Sequence, residues 1–122
     1  MLPHSGALRL PYVNREAYGF NVPLYARRVV PGGRLKETFS LVSLDRENII
    51  LETMKRAEDS EAVLRAFECG NCACDAELTL GFAAGEAFET DLMENITAPL
   101  PLENGKLRVH FEPFEIKTIL LR

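Results

Sequence analysis

The chain has 122 residues, 47% of them apolar and 26% charged, with fourteen basic and eighteen acidic side chains and a net charge of −4. That length supports one domain with a core of its own. Lys and Arg are concentrated nowhere beyond the pairs Arg27-Arg28 and Lys55-Arg56, which excludes the basic face that nucleic acid or an anionic membrane surface requires, and no apolar run is long enough to span a bilayer.

The first residues, Met1-Leu2-Pro3-His4-Ser5-Gly6, lack the basic region and apolar segment of a signal peptide. Three cysteines, an odd number, point to a reducing compartment, so a cytoplasmic location is expected. Asn95-Ile96-Thr97 matches the N-glycosylation triplet, which acquires meaning only in a secretory context.

Residues 1–36 read as an extended or partly disordered lead-in. Turn residues crowd it, with Pro23 and Pro31-Gly32-Gly33 as breakers. Its aromatics Tyr18, Phe20 and Tyr25 are expected to pack on something. From residue 37 onward the pattern is β. Residues 39–44 form a short strand, and 45–48 a turn. Residues 49–55 form a second strand. Ile49, Leu51 and Thr53 lie on one face of it, and Ile50, Glu52 and Met54 on the other. Apolar groups on both faces predict burial on two sides. Residues 58–61 turn the chain, and 62–68 return as the partner of a hairpin. This last stretch has some helical propensity, but its β-branched and aromatic neighbours favour a strand.

Ala76, Leu78, Leu80 and Phe82 alternate with Glu77, Thr79 and Gly81, the period of two that a half-buried strand requires. Residues 86–91 form another strand. Glu103-Asn104-Gly105 holds the Asn-Gly signature of a tight hairpin turn. Leu107, Val109 and Phe111 then alternate with Lys106, Arg108 and His110, and Pro113 separates this run from a final strand over residues 114–122. The sum is an all-β fold: an antiparallel β-sandwich of about seven short strands over residues 37–122, behind an extended N-terminal lead-in.

Candidate chemistry is sparse. Cys69-Gly70-Asn71-Cys72-Ala73-Cys74 could present two thiolates to one zinc, but no second ligand pair accompanies it, and His4 and His110 lie far away. Cys69, Cys72 and Cys74 are therefore read as incidental loop cysteines. Glu89 and Asp91, two apart on a strand, would face the same way roughly 6.5 Å apart, the scale of a glycosidase carboxylate pair; no pocket accompanies them, and they are read as surface carboxylates. Ser40, Ser43 and Ser60 sit in no nucleophile elbow, His110 faces outward as a solvated histidine, and Gly32-Gly33 is a turn rather than a phosphate loop. The chain has no Trp, and its Tyr residues all precede residue 26, which disfavours an aromatic sugar-stacking platform.

Four blocks carry a resemblance. Residues 47–59, from Glu47-Asn48-Ile49-Ile50 to Ala57-Glu58-Asp59, form the first. Arg65-Ala66-Phe67-Glu68 is the second, Glu89-Thr90-Asp91-Leu92-Met93-Glu94 the third, and Pro113-Phe114-Glu115-Ile116-Lys117-Thr118 the fourth. In order and spacing they resemble the C-terminal β region of the α-mannosidases of glycoside hydrolase family 38, and Asn21, Pro23 and Leu24 resemble that family's lead-in. The resemblance implies a non-catalytic C-terminal β-sandwich domain that packs on a catalytic domain. It implies a parent enzyme that hydrolyses α-mannosidic bonds in mannose metabolism, with an Asp nucleophile and zinc held in an N-terminal α/β domain. None of this chain's residues matches those catalytic or zinc motifs, so no catalytic, cofactor or metal position is assigned here. The expected partners are the catalytic domain, mannose-containing glycans through the parent, and other copies of the chain through an exposed interface. Lys55, Arg65, Glu68 and Asp91, charged residues inside apolar strands, are expected to pair or to contact a neighbouring domain. The alternatives are a free-standing carbohydrate-binding β domain and a small zinc-stabilised β protein built on the three cysteines.

Overall fold

A computed structural model describes residues 3, 5–6, 9–30, 32–57 and 61–122. His4, Pro31 and most of the 58–61 turn lie outside the described residues, as do Met1 and Leu2 of the N-terminal stretch. One helix and nine strands follow in order: α1 (Leu10–Asn21), β1 (Val42–Leu44), β2 (Ile49–Arg56), β3 (Ala62–Glu68), β4 (Cys74–Leu80), β5 (Ala87–Thr90), β6 (Ile96–Leu100), β7 (Leu102–Glu103), β8 (Lys106–Phe111) and β9 (Ile116–Leu121). They build a four-stranded sheet, β1-β4-β8-β7, and a five-stranded sheet, β2-β3-β9-β5-β6, with every pairing antiparallel. This is the all-β sandwich that the alternation predicts.

The core lies between the sheets. Ala76, Leu78 and Leu80 of β4 and Leu107, Val109 and Phe111 of β8 meet Ile49, Leu64, Ala66, Ala87, Ile119 and Leu121 of the other sheet. The period-two runs noted above supply the first six. The Asn104-Gly105 turn is a two-residue hairpin, with Leu102 opposite Leu107 and Glu103 opposite Lys106. Both turn residues have positive φ, 52° and 74°, which suits the right-handed twist of the flanking strands.

Three features differ from the expectation. The lead-in is not wholly extended, because residues 10–21 are helical. Pro11 at the first turn favours a helix start; α1 has no side-chain N-cap and fully buries no residue, setting only one edge of Leu10, Asn14 and Tyr18 toward the sheet. Two strands, β6 and β7, carry or flank Pro99 and Pro101. Neither is among the strands expected from the sequence; both are sheet edges, where a proline's missing N–H costs no ladder bond. Finally, β2 is buried on two sides only at its start, at Ile49 and Ile50. A bulge between Leu51 and Thr53 inserts Glu52, which turns Thr53 outward and sets Met54 opposite core residue Leu64. Beyond it, residues 52–56 of this edge strand are exposed.

The outer face of the five-stranded sheet is partly roofed. Tyr18 of α1 donates its hydroxyl to Glu52 at 3.4 Å, and Leu10, Asn14 and Tyr18 line a groove with Phe67, Phe114 and Ile116. At the other end, the loop after β5 lies over Leu120, with Lys55 paired to Glu94. No helix among the described residues is long and apolar enough to cross a membrane.

Candidate functional site

The residues that carry the four sequence blocks lie in several polar networks of the five-stranded sheet and its turns, and the most buried of these forms a polar seam. Its centre is Glu68, the last residue of β3, only 1% exposed. One carboxylate oxygen, Oε1, accepts from the Gly70 N–H and from the Asn48 side-chain amide at 2.9 Å. The other, Oε2, accepts from the backbone N–H groups of Asn71 and Phe114, each at 2.9 Å. A single side chain thereby ties the turn before β2, the β3–β4 loop and the β8–β9 turn. Asn71 and Phe114 both have positive φ, 58° and 59°, an uncommon conformation for such residues that the shared carboxylate helps to hold. Burial alone would raise the Glu68 pKa, but the N–H groups of Phe114, Asn48, Gly70 and Cys72 outweigh it and hold the carboxyl below its usual value.

The same sheet joins the remaining blocks. Arg65 donates to the Thr118 hydroxyl at 3.2 Å and to the Leu92 carbonyl at 3.4 Å. Lys117, little exposed, sits between Glu89 at 2.7 Å and Glu115 at 3.2 Å. Strand pairing sets Thr90 opposite Thr118. Asp91 has left the strand: its carboxylate accepts from the Met93 and Asn95 N–H groups and from the Asn95 amide, all at 2.9 Å, and these bonds, led by the Asn95 amide, lower its pKa. Glu89 and Asp91 are therefore engaged in separate networks and form no opposed pair. Lys55, Arg65, Glu68 and Asp91 all find partners inside the module, the internal pairing that was expected of them. Arg65→Met should lower stability to urea by about 1 kcal/mol, the net worth of a side-chain hydrogen bond. A variant with unchanged unfolding midpoint would remove Arg65 from the seam.

The cysteines sit beside Glu68. Cys69 is buried, Cys74 half-buried and Cys72 exposed, and none is in a disulfide. The Asn48 amide nitrogen lies 3.4 Å from the Cys72 sulfur and 3.3 Å from the Cys74 sulfur, while the Cys69 thiol donates to the Asn48 carbonyl. Desolvation and the neighbouring Glu68 charge push the Cys72 thiol up, opposite to an activated thiolate. Among the described residues no group of three or more His, Cys, Asp or Glu side chains is placed to hold a metal ion. The donors do not fit a zinc site: Glu68 accepts four N–H groups and the Cys72 thiol, Cys72 and Cys74 face the Asn48 amide, and Cys69 points at the Asn48 carbonyl. His110 is exposed on β8, as its position in the alternation implies. Its hydrogen bond from Nδ1 to Asp75, 2.7 Å long, raises its pKa. Phe20 and Tyr25, expected to pack, are largely exposed.

The seam makes stability depend on pH in a definite sense. For Glu115, as for Glu68, burial raises the pKa, but the Glu112 N–H and Lys117 outweigh it and leave it lowered. Stability from these two carboxylates is full above their unfolded value of 4.5 and is lost as pH falls through the lower folded values. Lys117 is the reverse. Burial lowers its pKa, but Glu89 and Glu115 raise it past 10.5, so its contribution is full below that value and is lost as pH rises through the folded one. The seam's contribution to the thermal midpoint should be nearly flat from about pH 6 to about pH 9 and drop below about pH 4, while the exposed His110–Asp75 pair adds a small fall as pH rises past 6.5; circular dichroism melts across this range check it, and a midpoint still rising at pH 3 contradicts it.

The fold and the seam define a class first: a two-sheet antiparallel module whose motif residues hold its own loops in place. Residues 48–119 match the glycosyl hydrolases family 38 C-terminal beta sandwich domain, and the chain belongs to that family. It is 32% identical over 127 residues to alpha-mannosidase 2C1 of Mus musculus and, to the same extent, to alpha-mannosidase 2C1 of Homo sapiens. Each match covers 99% of this chain but 12% of the relative, so the chain spans about an eighth of the length of the curated relatives it matches.

Proposed function

We propose that this sandwich is the non-catalytic C-terminal domain of an α-mannosidase, and that it packs on and supports the catalytic domain that hydrolyses α-mannosidic bonds. The observation that carries this reading is that the buried and half-buried charged residues of the family blocks are satisfied by partners inside the module, in separate networks. Glu68, Glu89 and Asp91, the carboxylates those blocks bring to the sheet, are each consumed by N–H groups or by Lys117, so they act as struts and not as an acid and a nucleophile. The zinc that the resemblance implies belongs to the catalytic domain, as does contact with mannose-containing glycans. Three unpaired cysteines support a reducing, cytoplasmic setting. Exposed apolar side chains of residues 20–35 support association of isolated copies.

The test is direct. The purified 122-residue chain is incubated with an aryl α-mannoside, with and without added zinc. No turnover is expected in either case. Turnover abolished by Glu89→Gln or Asp91→Asn would overturn the reading and make those carboxylates catalytic.

A further inference from the structure

Residues 22–30, between α1 and the sandwich, are the part of the molecule least explained by the module itself. They belong to no helix or strand, and residues 23–30 make no backbone hydrogen bond among the described residues. Val22, Leu24, Tyr25, Val29 and Val30 are each at least 70% exposed. In an extended chain, Leu24, Ala26, Arg28 and Val30 point to one side and Tyr25, Arg27 and Val29 to the other, so each face is apolar apart from one arginine. A strand apolar on both faces is one covered on both faces. Arg27 and Arg28 form no ion pair among the described residues, whereas Lys55, Lys106, Lys117 and Arg122 of the sandwich are all paired.

The segment is nonetheless part of what the longer relatives share. Their match covers 99% of this chain, while the sandwich match begins only at residue 48. That domain is C-terminal in its family, so in the relatives most of the remaining length precedes it.

We propose that residues 22–30 are a donor strand that adds to an open sheet edge of the domain preceding the sandwich in a family 38 chain. The proposal rests on the reading of this module as part of such an enzyme, and it names how the two are joined. The acceptor edge offers free backbone N–H and C=O groups, apolar cover above and below, and carboxylates opposite Arg27 and Arg28. Main-chain hydrogen bonds supply the affinity of such an addition and alternate side-chain pockets its register. Because the segment lies between the sandwich and the preceding chain, the encounter is intramolecular and takes place at high effective concentration.

Amide hydrogen exchange tests it, on the 122-residue chain alone and on the intact mouse relative. In the isolated chain, residues 22–30 exchange at coil rates. In the intact relative, the aligned amides are expected to be slowed by on the order of 100-fold or more, in the alternating pattern of a ladder strand. Coil rates there, with the loop aligned to Leu92 and Met93 newly protected, would overturn the donor strand and leave domain packing standing. Coil rates in both regions would remove the packing reading as well. Protection in the isolated chain that disappears on dilution would identify a second copy as the occupant and overturn the proposal.

Discussion

Glu68→Ala is expected to cost roughly 3–6 kcal/mol, most of the stability of a domain this size. The estimate follows from what the carboxylate leaves behind. The N–H groups of Gly70, Asn71 and Phe114 and the Asn48 amide all point at it, and alanine satisfies none of them. Glu68→Gln separates charge from geometry. Oε1 takes the Gly70 N–H, the Asn48 amide and the Cys72 thiol, and Oε2 takes two backbone N–H groups, so whichever way a glutamine turns, its NH2 must face at least two N–H donors. The glutamine variant should therefore lose roughly 2–4 kcal/mol despite its near-identical shape, and it should also lose part of the acid sensitivity. Urea unfolding measures both. A glutamine variant within experimental error of the parent would mean that Glu68 fills space and does not tie loops.

Gly81→Ala is expected to cost about 3 kcal/mol for a different reason, the close passage of another stretch of backbone. A Cβ at Gly81 would stand 2.1 Å from the Ser40 carbonyl oxygen and 3.1 Å from the Phe39 ring. The nearest obstacle is main chain and cannot swing aside. Gly81 also donates its N–H to the Leu41 carbonyl at 2.8 Å, one step beyond the Val42–Leu80 pair that opens the β1–β4 ladder. Relief of the clash must lift residues 39–41 and with them β1, so hydrogen exchange should show Val42–Leu44 released together with the fall in stability. An alanine variant with β1 still protected and the midpoint unmoved would show that this crossing has slack.

Much of the architecture was legible because it is periodic or local. The alternation in β4 and β8 named half of the core, and Asn104-Gly105 named a hairpin. What periodicity could not carry was lost in three physical ways. Pro99 and Pro101 break a central strand but not an edge, and edge status is a property of the sheet. The Glu52 bulge reverses the two faces of β2 after Leu51, so a strict period of two failed from Thr53 onward. Helix α1 rests on Pro11 and a few surface contacts, with no buried stripe to announce it. Of the seam, the participants were visible as charged residues within apolar strands, but their partners were not. Glu68 meets Phe114 across 46 positions and Arg65 meets Thr118 across 53, distances that no local pattern encodes. The Glu89 and Asp91 spacing suggested a shared face; the departure of Asp91 into its own turn dissolved it.

The place of β9 bears on how the molecule is made. It is the middle strand of the five-stranded sheet, flanked by β3 and β5, yet all the other strands come before it in the chain. Until β9 emerges, β3 and β5 each keep one unpaired edge and cannot reach one another. Pairing across so much intervening sequence is slow, since loop-closure entropy is lost before any contact repays it. During synthesis the β2–β3 and β5–β6 hairpins therefore wait as two separate open-edged ribbons, and this waiting period is when the chain is most exposed to mispairing and most dependent on chaperones.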